Sequence, residues 1–106
     1  MPPKALIESW KKTTAYLIDA RSHLSEAAEG ICADEIHEFQ EYLEHNELEL
    51  ALDALEKAYK KSGMEGLKVV ELLALAAANM GLSDRVRGFD EYLSKAGGVP
   101  YVTKLL

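Results

Sequence analysis

His37, Glu41 and His45 stand at i, i+4 and i+8, a spacing that on a helix sets two imidazoles and a carboxylate along one flank. Imidazole and carboxylate are ligands of zinc and of non-haem iron, so metal chemistry is the first possibility to weigh. The pattern does not support it. A zincin needs a second histidine four residues after the first, and Glu41 occupies that position. A di-iron bundle needs Glu-x-x-His on each of two helices, and Asp34-x-x-His37 is the only approach to it. Nucleophilic catalysis has no better footing. Cys32 is the one cysteine, and its neighbour Ile31 suits a small buried hydrophobe. No G-x-S-x-G, Walker or G-x-G-x-x-G motif is present. Carboxylates are abundant, but proton transfer at neutral pH needs a carboxyl raised by an apolar pocket, and the periodicity sets these on a wet helix face. The sequence therefore predicts no catalytic residue, no metal and no cofactor: a chain that is not an enzyme.

What these residues can do is attract. From Asp34 to Glu56 there are nine carboxylates (Asp34, Glu35, Glu38, Glu41, Glu44, Glu47, Glu49, Asp53, Glu56) and no Lys or Arg. Residues 1–33 carry four basic and four acidic side chains, and residues 57–106 carry eight basic and five acidic. The formal net charge of −6 thus originates in one segment. Solvated helix faces ordinarily mix signs for i,i+4 pairing. A one-signed face costs stability by self-repulsion and steers a partner of opposite sign. Tyr42 falls among these carboxylates, either exposed as an interface anchor or packed against the first helix.

Composition bounds the alternatives. A chain of 106 residues, 48% hydrophobic, makes one domain with its own core. A pI near 5.0 argues against direct binding of nucleic acid or an anionic membrane, both of which need clustered cations. The single cysteine excludes a disulfide framework and fits a reducing compartment. The opening MPPKALIESWKK lacks the apolar core of a signal peptide. The longest apolar run, Leu72–Ala78, is far short of the roughly 20 residues of a membrane span. The expected compartment is the cytoplasm.

The positioning elements read as helices throughout, an all-α bundle of about five with a central apolar helix. Pro2 and Pro3 precede the first turn. Leu6, Trp10, Leu17, Leu24 and Ala28 then mark an amphipathic helix ending at Gly30, which Ser22 and Ser25 could divide. Asp34 is placed to cap a helix over 34–45 that buries Ile36, Phe39 and Leu43 and projects Asp34, Glu38, Glu41 and His45. Asn46 breaks that run. A helix over 47–62 packs Leu48, Ala51, Leu52, Leu55 and Tyr59, and Gly63 stops it. The short bend to Gly66 predicts that the next helix, over 67–80, is its antiparallel neighbour. That helix is apolar on nearly every side and so belongs at the centre. Ser83 is placed to cap a last helix over 84–96, and residues 97–106 form an irregular tail. Leu52, Ala54 and Ala58 sit at tetratricopeptide-like spacing, but no second copy exists and an array is excluded.

The run FQEYLEHNELELALDAL over 39–55 resembles the MafI-type immunity proteins of bacterial polymorphic toxin systems: an aromatic and an aliphatic, then His and Glu, then Leu-Ala-Leu and an acid. The run from Ala77 to Leu82 is similar to the close of their next helix. The resemblance covers roughly 36–82, and contact-dependent-inhibition immunity proteins form a looser comparison. The long first helix and the helix over 84–96 lie outside it. The resemblance implies a cytoplasmic antitoxin that binds the C-terminal toxic domain of a cognate effector, often a nuclease. A nuclease cleft is basic because it holds phosphates, and an acidic helix could cover it as a phosphate mimic. The predicted partner-binding residues are Asp34, Glu38, Glu41, Tyr42 and His45, with Glu49 and Asp53 on the flank of the following helix. The competing reading is a helical adaptor or regulatory module without a toxin partner.

Overall fold

The computed structural model describes residues 1–105. These form six helices and no strand: α1 (Lys4–Ser22), α2 (Glu26–Ile31), α3 (Ala33–Glu44), α4 (Leu48–Lys61), α5 (Leu67–Asn79) and α6 (Ser83–Gly97). The chain is an all-α bundle with one helix more than the expected five. The extra element arises where Ser22 and Ser25 interrupt the first helical run. The Ser25 hydroxyl accepts from the Ala28 amide at 3.0 Å and starts α2 afresh. Gly30 does not end that helix, which runs on to Ile31, so Cys32 alone separates α2 from α3.

Two caps differ from the sequence expectation. Asp34 lies inside the first turn of α3, where its charge still faces the positive end of the helix dipole. Cys32 takes the capping position; its buried thiol donates to the Ala28 carbonyl at 2.7 Å, and burial pushes the thiol pKa up, so it stays protonated and inert. Ser83 is the first residue of α6 and Leu82 its N-cap, with no side-chain capping bond. The stops behave as expected. Asn46 (φ 54), Gly63 (φ 103) and Gly81 (φ 75) each take the left-handed conformation just past a helix. In each case the next amide reaches back: Glu47 to the Tyr42 carbonyl at 2.8 Å, Met64 to Tyr59 at 3.0 Å, and Leu82 to Ala77 at 2.9 Å. One Schellman closure thus ends α3, α4 and α5.

The core is built around α5, whose Val69, Val70, Leu72, Leu73, Ala74, Ala76 and Ala77 are buried between α1, α4 and α6. Each fully buried Leu there contributes about 1.5–3 kcal/mol of transfer free energy. The Asn79 amide, at the end of α5, donates to the Ser9 carbonyl at 2.9 Å and to Thr13 Oγ1 at 2.8 Å, pinning the start of α1 to the end of α5. Leu6 lies a turn further out, past the end of α5, and is therefore 42% exposed rather than inward. Trp10 is half-buried. The closest neighbour of α4 is α3 rather than α5, so the second half of the acidic segment folds back along the first. The whole is a slab of 43 × 33 × 19 Å, about two helices thick. No helix among the described residues is long and apolar enough to cross a membrane.

Past Gly97 the described residues of the tail form no helix, but they are tied down. The Tyr101 amide donates to Ser94 Oγ at 2.8 Å and its hydroxyl to Glu71 at 3.3 Å. Both the amide and the hydroxyl of Thr103 donate to the Asp90 carboxylate. This strap, running back along α6, was not legible from its sequence.

Candidate functional site

The apolar stripe of α3 decides which of its side chains meet water. Ile36 and Phe39 are buried and Leu43 is partly so, which turns Asp34, Glu38, Glu41 and His45 outward together. His37 and Glu44 flank them and are exposed too. Beyond the Asn46 turn, Glu47 and Glu49 open α4, where the helix dipole favours negative charge. Tyr42, on the same helix, is half-buried and packs against the main core, supporting the ridge from beneath rather than standing free of it.

The nine carboxylates separate into two sets once the fold is known. Three are countered by bases from later in the chain. Lys61 Nζ holds Glu35 at 3.1 and 3.3 Å and keeps its carboxyl below the usual range. Arg85 of α6 forks across α4, meeting Asp53 at 2.5 Å and Glu56 at 2.7 Å, and Lys60 adds a third contact to Glu56 at 3.2 Å. The other six (Asp34, Glu38, Glu41, Glu44, Glu47, Glu49) have no Lys or Arg partner among the described residues. Glu41 meets His37 Nε2 at 3.0 Å.

His45 closes the row. Its Nδ1 lies 2.8 Å from the Glu41 carbonyl and donates to it at the C-terminal end of α3. That hydrogen bond, with the carboxylates of Glu47, Glu44 and Glu41 around the ring, raises the imidazole pKa above its ordinary value. Among the described residues no three His, Cys, Asp or Glu side chains converge as they would to hold a metal ion.

Of the residues predicted to bind a partner, Asp34, Glu38, Glu41 and His45 share the α3 ridge, and Glu49 is exposed in the first turn of α4. Asp53 is apart, engaged by Arg85. No protein-family model, no curated protein and no solved structure matches this chain. The residue that sequence reasoning missed is Arg85. It lies 32 and 29 positions from its two carboxylates, and nothing local to it signals that pairing.

Proposed function

We propose that this chain is a stoichiometric protein-binding inhibitor: a cytoplasmic immunity protein that neutralises a cognate toxin domain with a basic active cleft. One observation carries the reading. Six carboxylates along α3 and the start of α4 have no Lys or Arg beside them, although the chain supplies bases to three others nearby. Placing like charges together without counter-ions costs folding stability, and a basic partner would turn that cost into association rate and specificity. The regular rise of α3 sets successive carboxylates on one straight row, as a nuclease cleft would meet successive phosphates. No side chain here is assigned a catalytic role; the chain acts by occupying a surface.

The test is affinity capture at modest salt with the wild type and a Glu38→Lys/Glu41→Lys variant, with bound proteins identified by mass spectrometry and the captured domain assayed with each form. The expected result is one basic domain whose toxic activity the wild type abolishes and the variant does not. Equal capture and equal inhibition by both forms would place the contact elsewhere. A captured basic domain whose activity is untouched would favour the adaptor reading.

A further inference from the structure

The first helix carries a second stripe that the core does not use. Thr13, Leu17 and Ala20 face inward and are buried. Ile7, Lys11, Thr14 and Ile18 follow one another at spacings of four, three and four, which sets them in line along the neighbouring flank. Ile18 is 53% exposed, and Ile7, Trp10 and Thr14 are half-buried. Ile7, Trp10, Lys11 and Thr14 form one wall of an open groove of about 290 Å³, and Asn46 stands on the other. The groove therefore runs into the turn between α3 and α4, where His45 and Glu47 flank Asn46 at the end of the acidic ridge.

Two helix ends border this groove, and each carries the sign that its dipole disfavours. α1 begins with Lys4, one turn before Ile7, and has no acid in its first turn and no side-chain cap. α3 closes on Glu41 and Glu44 and has no base in its last turn. Residues 1–14 hold three lysines against one carboxylate. Yet neither Lys4 nor Lys11 forms an ion pair among the described residues, and Glu44 and Glu47 have no basic partner there. Within one chain the opposite charges lie on either side of the groove without pairing. A patch with an apolar middle, bases on one side and acids on the other is complementary to a copy of itself turned about a two-fold axis.

We propose that the groove beside α1 is a two-fold contact with a second copy of this chain, in which the start of each α1 lies across the end of the other copy's α3. Lys4 and Lys11 then face the Glu41 and Glu44 carboxylates and the negative end of the α3 dipole, and the Trp10 indoles close the apolar middle. A purely basic occupant would be repelled by Lys4 and Lys11, whereas a second copy meets both signs. The second copy and a basic partner would compete for Glu41 and Glu44, so that dimerisation would hold the ridge back until such a partner displaced it. The contact does not rest on the inhibitor reading, because its test needs this chain alone.

The experiment is sedimentation velocity of the full chain over a concentration series at low salt, with tryptophan emission read on the same samples. Trp10 is the only tryptophan, so the emission reports the groove directly. The expected result is a monomer–dimer equilibrium that weakens with added salt, with emission moving to shorter wavelength as the dimer forms. Lys4→Glu/Lys11→Glu and Glu41→Lys/Glu44→Lys should each weaken the dimer by about tenfold or more. An equimolar mixture of the two variants should restore it as a heterodimer, because each supplies the sign that the other lacks. Both variants give a helix end the charge its dipole prefers, so lost association would not reflect lost folding. A monomer at every concentration would overturn the proposal, as would a dimer that both variants retain or one that leaves the Trp10 emission unchanged. Weakening in both variants without recovery in their mixture would overturn it too.

Discussion

The outer face of α3 and the flank of α4 are made from the same acidic stretch, and the fold treats them oppositely. On α4, Asp53 and Glu56 are drawn under the Arg85 guanidinium, whose carbon also lies 5.7 Å from the centre of the Phe89 ring. On α3, Asp34 and Glu38 face water with no ion pair among the described residues, and Glu41 meets only an imidazole. Charge on α4 is therefore structural, tying α6 to α4 through partly buried hydrogen bonds. Apart from Glu35, which Lys61 holds, the charge on the outer face of α3 forms no tie between helices, and its like signs repel. A count along the sequence shows nine acids; the field that a partner meets comes from the six that the fold leaves without a Lys or Arg.

The largest effect should come from removing what both regions stand on. Phe39 is fully buried beneath α3, against α4. Phe39→Ala should lower stability by about 3–5 kcal/mol, read by urea denaturation, and should disable the ridge and the α4 flank together. A loss below about 1 kcal/mol would mean that the α3–α4 hairpin is not packed as described.

The next effect separates the two regions. Arg85→Ala strands Asp53, leaves Glu56 with Lys60 alone and removes the guanidinium from over the Phe89 ring, so it should cost about 1–2 kcal/mol. Arg85→Lys should recover only part of this, because a point charge cannot span both acceptors as a guanidinium does. Inhibition of a partner should survive both substitutions in the folded protein. If Arg85→Ala were as stable as wild type, the distinction between structural and free charge would collapse.

On α3 the sign reverses. Glu38→Lys/Glu41→Lys should leave stability within about 0.5 kcal/mol of wild type, or slightly above it, while abolishing partner capture. Salt sharpens the point. Going from about 0.01 to 1 M shortens the screening length from about 30 to 3 Å, which should raise the melting temperature of the wild type more than that of the variant. Equal responses would show that the ridge carries no net repulsion.

How much of this was legible beforehand follows from the range of each interaction. Helix periodicity is local, so the buried faces of α3, α4 and α5 and the stops at Asn46, Gly63 and Gly81 could be read directly. The row Asp34, Glu38, Glu41 and His45 follows from the same arithmetic. Caps were less secure, because Asp34 and Ser83 are good capping types one or two residues too late, and backbone conformation chose Cys32 and Leu82 instead. What could not be read was long-range: Arg85 reaching α4, Asn79 pinning α1, and Thr103 docking on Asp90. Residue type permits each pairing, but the topology that brings the partners together is not written locally.

The smallest effect tests the ridge by proton. The pKa of His45 is raised above its ordinary 6.5 by the Glu41 carbonyl and by Glu47, Glu44 and Glu41. A histidine whose folded pKa is raised holds its proton more tightly when folded. Its contribution to stability is therefore fully present below about 6.5 and is lost as pH rises through the folded value. Partner binding should run the other way. Losing that proton makes the ridge more negative, so a basic domain should bind more tightly as pH rises through the same window. Stability by thermal denaturation and affinity by calorimetry should thus move in opposite directions between about pH 6 and 8, and His45→Gln should flatten both. Parallel trends, or slopes that His45→Gln leaves unchanged, would remove His45 from the ridge.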